Sequence, residues 1–233
     1  MNRTEAEVGF YGKLPFKGDF LQRRVPQEFV EPWDAWLQQG LHESRLRLRD
    51  AWLEAYLSGP VWRFVLAEGV CGAAGYAGIL VPSVDRVGRY FPLTLVTRLE
   101  MRACPVDVAC NSGGWFDAAE AVVLAALEAT EMDIDEFDDQ VAGLGRYLPA
   151  GPGSDVSPLP PEGWPMPLEG TVSLQRAVNA FAYAQLDRAL RPAALWWSDG
   201  SSAVDPCWVA TSGLPDARRF TAMWSAKAAE QRS

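Results

Sequence analysis

Apolar positions recur along this chain with two different periods, and segments of the two kinds alternate. Val8-Gly9-Phe10-Tyr11-Gly12-Lys13-Leu14-Pro15 has the side chains of a strand and stops at a proline, so a first strand is expected there. Phe29, Trp33, Trp36 and Leu37 fall three and four residues apart, which predicts a helix from Gln27 to Gln39 with one apolar face. Gly40 is placed as its C′ residue, where glycine takes the left-handed conformation cheaply. A second helix is expected over Ser44–Leu57, with Leu48, Trp52, Ala55 and Tyr56 on one side, ended by Ser58-Gly59-Pro60. Three apolar strands follow in the prediction: Val61–Ala67, Gly75–Val81 and Tyr90–Leu99. Helical spacing returns at Trp115–Thr130, behind a loop at Asn111-Ser112-Gly113, and a short acidic helix is expected over Asp133–Val141.

Pro149–Pro167 holds seven of the 17 prolines, so a helix or central strand cannot run through it. It is expected to be a long surface loop or linker. Beyond it the spacing predicts a helix over Thr171–Leu190, packed through Leu174, Val178, Phe181, Ala182 and Leu186. Two short strands, Ala194–Trp197 and Trp208–Thr211, should flank a turn, and a last helix should start at Asp216, a suitable N-cap. Strands alternating with helices predict one α/β domain over residues 1–233, a three-layer sandwich whose mixed sheet is flanked by helices on both faces.

Charge narrows the partners. The net charge of -9 is unevenly spread: residues 1–102 carry 13 basic and 12 acidic side chains, whereas 103–170 carry one basic and 13 acidic. A phosphate-binding surface needs the opposite balance, so nucleic acid and anionic membrane surfaces are disfavoured. The polar start lacks an apolar signal region, and no apolar run approaches the roughly 18 residues of a membrane span. Cys71, Cys104, Cys110 and Cys207 form no CxxC pair and read as reduced, mostly buried thiols. A cytoplasmic protein is expected.

The chemistry-bearing residues are few. His42 is the single histidine, which leaves little for a Ser-His-Asp triad or a histidine-rich metal site. Gly9-x-x-Gly12 lacks the third glycine of a dinucleotide fingerprint. Two clusters do place charges and glycines beside apolar strands: Gly12-Lys13-Leu14-Pro15-Phe16-Lys17-Gly18-Asp19-Phe20 and Pro82-Ser83-Val84-Asp85-Arg86-Val87-Gly88-Arg89-Tyr90. Such connections often carry function on a rigid scaffold, although Asp85 and the arginines could equally cap strand ends.

These same blocks carry a resemblance. Gly9-Phe10-Tyr11-Gly12-Lys13-Leu14-Pro15 with Gly18-Asp19-Phe20, then Pro32-Trp33-Asp34-Ala35-Trp36-Leu37, Pro60-Val61-Trp62-Arg63-Phe64, and Pro82 through Thr94 resemble the amino-terminal signature of the TagF (ImpM) family. The resemblance covers residues 9–97; beyond it, only Trp196-Trp197 and Ser212-Gly213-Leu214-Pro215 look similar. It implies an accessory protein of the bacterial type VI secretion system with a three-layer α/β fold. It implies a post-translational repressor linked to the system's forkhead-associated (FHA) scaffold protein, sometimes fused to a PP2C-type phosphatase. No catalytic residue, metal or cofactor comes with it.

The leading expectation is therefore a regulatory binding protein. A structural adaptor of the apparatus is the alternative. An enzyme acting on phosphate through Asp19, Asp85, Arg86 and Arg89 is a further one. Lys13, Asp19, Ser83, Asp85, Arg86 and Arg89 are expected to meet in one cleft, with Asp85 accepting from an arginine or from backbone N–H groups. Trp33, Trp36, Trp52 and Trp62 are expected to be buried. Glu131–Asp139 should be exposed, as an inert face or as a dock for a basic partner.

Overall fold

Short connections dominate the chain between its strands, and they decide the sheet. In the computed structural model, which describes residues 7–101, 103–129, 131–146, 174–190 and 192–225, the strands are β1 (Val8–Gly12), β2 (Leu21–Arg23), β3 (Trp62–Leu66), β4 (Tyr76–Val81), β5 (Leu93–Arg98), β6 (Ala193–Ser198) and β7 (Cys207–Ser212). They form one seven-stranded sheet in the order β2-β1-β5-β4-β3-β6-β7. Every pairing is antiparallel, so the expected mixed sheet does not form. Four of the six pairs are joined by a direct turn. Such a turn reverses the chain, whereas a parallel pair needs a crossover of about a dozen residues or more. β6 and β7, which follow the proline-rich stretch in sequence, extend the same sheet from β3. That stretch itself lies outside the described residues.

The helices are α1 (Gln27–Leu48), α2 (Trp52–Leu57), α3 (Pro105–Asn111), α4 (Gly113–Glu128), α5 (Ile134–Gly143), α6 (Leu174–Ala189) and α7 (Ala217–Ala222). Among the described residues none is long and apolar enough to cross a membrane. Strand residues alternate between two apolar clusters, as the period of two requires. Trp62, Phe64, Tyr76, Leu80, Val96 and Trp196 pack with Phe29, Trp33, Leu37 and Leu41 of α1, Tyr56 of α2 and Phe220 of α7. Phe10, Val65, Ile79, Leu93, Leu95 and Leu195 pack with Val108 of α3, Phe116 and Val123 of α4, and Phe137 and Val141 of α5.

Several local expectations need correction. Gly40 does not end α1, which runs eight residues further. A Cβ there would collide with the ring of Phe220, so the glycine makes room for α7. The second predicted helix is split: α1 ends at Leu48, a 3₁₀ turn covers Arg49–Ala51, and α2 is short. α3 was not expected, and Tyr90–Leu99 shortens to Leu93–Arg98 behind Pro92. On α6 the predicted buried stripe is turned outward: Leu174, Val178 and Phe181 are exposed. Leu186 packs against the second cluster, and Asn179, two turns away on the same face, is buried and donates to Asp107 Oδ1 at 3.1 Å. The buried Asp107 Oδ1 also accepts from Asn111 Nδ2 at 2.8 Å, so Asn179 joins α6 to a polar pair on α3 at this point. Of the cysteines, all free, only Cys71 is buried; Cys104 is half-buried and Cys110 and Cys207 are exposed.

Trp33, Trp52 and Trp62 are buried, and Trp36 is partly buried. Trp33 has no exposed surface. It contacts Phe29, Trp36 and Phe64 with centroids 5.0, 4.8 and 4.9 Å away, stacks on Trp196 at 6.0 Å, and donates from Nε1 to Thr94 Oγ1 at 2.9 Å. It thus ties α1 to β3, β5 and β6 at once. Trp33→Ala should cost about 3–5 kcal/mol and strand the Thr94 hydroxyl. Chemical denaturation will read this as a large drop in midpoint; an unchanged midpoint would remove Trp33 from its place at the centre of the core.

Candidate functional site

β1 pairs directly with β5 of the β4–β5 hairpin, with Tyr11 opposite Thr94, so the loop after β1 and the hairpin loop leave the same end of the sheet. The hairpin tip is set by Val84 bridging Tyr90, by Asp85 N donating to Arg89 O at 3.0 Å, and by Gly88 N donating to Asp85 O at 2.9 Å. Gly88 sits at a φ of 84°, which the tight turn demands and glycine supplies without strain. This turn folds the Asp85 carboxylate inward. Asp85 Oδ1 accepts from Val87 N at 3.0 Å and from Arg89 N at 2.8 Å, and Oδ2 accepts from Arg89 Nε at 2.7 Å and from Lys13 Nζ at 2.5 Å.

The Asp85 side chain has no exposed surface and that of Lys13 is 9% exposed, so this ion pair is buried. Burial alone would push the Asp85 carboxyl up. Lys13, the two backbone N–H groups and Arg89 outweigh it and hold the carboxyl well below the usual aspartate range. Ser83, also buried, donates from Oγ to Lys13 O at 2.7 Å. Two further links cross between the loops: the backbone Arg86 N donates to Lys17 O at 3.1 Å, and the Arg89 guanidinium donates from an NH2 group to Gly18 O. The expected convergence of the two loops is therefore present, with Asp85 accepting from an arginine and from backbone groups.

The six expected residues separate into two sets. Lys13, Ser83 and Asp85 are buried and form a knot; Asp19, Arg86 and Arg89 are exposed on its outer side. Asp19 has no hydrogen-bond or ion-pair partner among the described residues and does not join Asp85. Among the described residues no group of three His, Cys, Asp or Glu side chains could hold a metal ion.

Two participants are not among the six expected residues. Tyr56, reached from α2, accepts from Ser83 N at 3.0 Å and donates to Ser83 O at 2.9 Å. Its burial raises the phenol pKa, so it remains a neutral donor. Helical spacing marks Tyr56 only as a packing residue. Phe20 lies under Lys13 Nζ, 5.7 Å from the ring centroid, and packs on Tyr11 and Phe91, both at 4.8 Å.

The acidic segment is largely exposed but is not an inert face. Asp138 pairs with Arg23 at 2.7 Å and Arg24 at 2.6 Å, and Asp135 with Arg23 at 3.0 Å. Burial opposes the charge on Asp138, yet Arg24 and Arg23 hold its carboxyl below the usual range. α5 is thus clamped onto the β2 edge, with Phe137 buried against Phe10 at 5.0 Å.

This knot, at the end of an antiparallel sheet, lies within the region matched by a known family. Residues 9–144 match the TagF N-terminal domain, described as type VI secretion system-associated. The chain belongs to that family of type VI secretion system-associated proteins. Among solved structures it is similar to the crystal structure of PA0076 from Pseudomonas aeruginosa PAO1, with 37% identity, a TM-score of 0.76 and 94% of each chain covered. No curated protein matches the chain.

Removing the Asp85 charge leaves Lys13 buried without its carboxylate, so Asp85→Asn should cost about 3–5 kcal/mol at neutral pH. A depressed folded-state pKa means Asp85 stabilises fully above its unfolded value of about 3.9 and loses that contribution as pH falls further. The stability gap between wild type and Asp85→Asn should therefore be widest above about pH 5 and narrow on acidification. A gap independent of pH would rule out the charged knot.

Proposed function

We propose that this protein is a cytoplasmic negative regulator of type VI secretion that acts by binding a protein, through the pathway of the system's FHA-domain scaffold. We read it as one domain, with helices on both faces of the sheet making three layers; the two separate apolar clusters support this. The observation that carries the functional reading is the family match across residues 9–144, which contains both loops of the knot. Physical support comes from the division of the site. Five hydrogen bonds and ion pairs fix the loops from below, and the exposed side chains of Asp19 and Arg86, which take no part in them, are left to face a partner. A surface held this rigidly loses little conformational entropy on docking.

Repressor and structural adaptor predict opposite phenotypes. Deleting the gene should raise secretion output if the protein represses, and lower it if the protein is a required part of the apparatus. Affinity-tagged protein should retain the FHA scaffold from lysate. Arg86→Ala should release repression with little change in melting temperature, since the Arg86 side chain is exposed and takes no part in the knot. Secretion output that falls on deletion would overturn the regulatory reading.

A further inference from the structure

The two tied loops also form one side of an open cleft of about 640 Å³. Its cationic lining is Lys17 and Arg86, from the loop after β1 and the β4–β5 hairpin. Its anionic lining is Glu131, Asp133 and Glu136, from the start of α5 and the residues before it. Pro15, Phe16 and Met132 supply apolar surface to the same cleft. The Arg86 N to Lys17 O bond couples the two cations, and the clamp of Arg23 and Arg24 on Asp138 fixes the helix that carries the acids.

Several opposite charges among the described residues are joined directly. Arg63, for example, meets Glu120, Asp117 and Asp199 at 2.8, 3.0 and 3.2 Å. The five charged side chains of the cleft make no ion pair with one another or with any described residue. Across a water-filled gap unlike charges attract weakly. A ligand that displaces the water and brings complementary charges gains far more, because the effective dielectric falls. A chain of one sign would be attracted to one side and repelled by the other; nucleic acid fails on the acidic side for that reason.

Resting on the reading of the protein as a binding module, we propose that this cleft is the partner's docking site. The occupant is an extended protein segment of alternating character. It sets an acidic side chain against Lys17 and Arg86, an apolar side chain on Phe16 and Met132, and a basic side chain against Glu131 and Glu136. The buried knot then serves to present one half of a bipolar site, and α5 presents the other. Such a site selects both the sequence and the direction of the bound segment, since reversing the segment brings like charges together.

Calorimetric titration of the purified FHA-domain scaffold into the full chain tests this. Lys17→Glu with Arg86→Glu, and separately Glu131→Lys with Glu136→Lys, should each weaken affinity by about tenfold or more and flatten its salt dependence. Arg47→Glu with Asp50→Lys, exposed and outside the cleft, should leave affinity within about twofold. The milder Arg86→Gln and Glu136→Gln should move affinity in the same direction, with melting temperature checked for every variant. If wild type binds and both reversed pairs bind as tightly, the cleft is not the docking site and the binding function stands. If the wild-type chain does not bind the scaffold at all, both the binding reading and the cleft fall.

Discussion

A carboxylate with no exposed surface must find compensation for the water it has lost, and Asp85 finds it from four donors on two loops. That requirement organises this end of the molecule. Lys13 has to leave β1 in the direction of the hairpin, and the hairpin has to close in a turn tight enough to aim two N–H groups at Oδ1. Tyr56 then closes the far side through both backbone groups of Ser83, so α2 is registered against the same hairpin. One buried charge thereby fixes the relation of β1, the β4–β5 hairpin and α2. Apolar packing is non-directional and would tolerate small slips among them.

The uneven distribution of charge along the sequence acquires a structural meaning in the same terms. Basic residues of the first hundred positions meet acids of the middle third across the fold: Arg23 and Arg24 with Asp135 and Asp138, and Arg63 with Asp117 and Glu120. The acidic excess is thus partly a set of long-range partners for a nearly neutral first segment. Glu131, Asp133 and Glu136, which make no ion pair among the described residues, line one cleft beside Lys17 and Arg86.

Much of this was legible in the sequence where a local rule governs. The strands at β1, β3, β4, β6 and β7, the core spacing of α1 and α4, and the Asp216 cap of α7 all follow from composition and period; the meeting of the two charged loops was expected from a mixed sheet and comes about instead through the antiparallel pairing of β1 with β5. Misses arose where a distant contact decided the outcome. Gly40 has the chemistry of a helix end, yet the space that Phe220 occupies makes it an interior residue. The apolar stripe of α6 has helical period, but the face that carries Asn179 and Leu186 is the one turned inward, where Asn179 bonds the buried Asp107. Antiparallel order was hidden because alternation of helix and strand does not record which strands become neighbours. Tyr56 was counted as packing because periodicity reports the burial of a ring and says nothing of where its hydroxyl points.

The hairpin that carries Ser83 through Arg89 shows why a family signature does not by itself define a site. Ser83 and Asp85 point inward, and Arg86, Val87, Gly88 and Arg89 are exposed. The inward residues are held by folding: a change at Asp85 disturbs four donor groups, the buried Lys13 among them, and a change at Ser83 removes its bond to the Lys13 carbonyl. Gly88 is held by the turn, although its surface is free. Only the exposed side chains can differ without disturbing the knot, and only they can reach a partner. Arg89 spans the two sets, because its backbone N–H and Nε serve Asp85 while its NH2 group bonds the Gly18 carbonyl of the opposite loop. Arg86 has no such duty for its side chain; its backbone alone joins the loops. Structure and recognition are therefore separated atom by atom within a single turn, and Arg86 is the residue at which recognition can be altered while the knot is left intact.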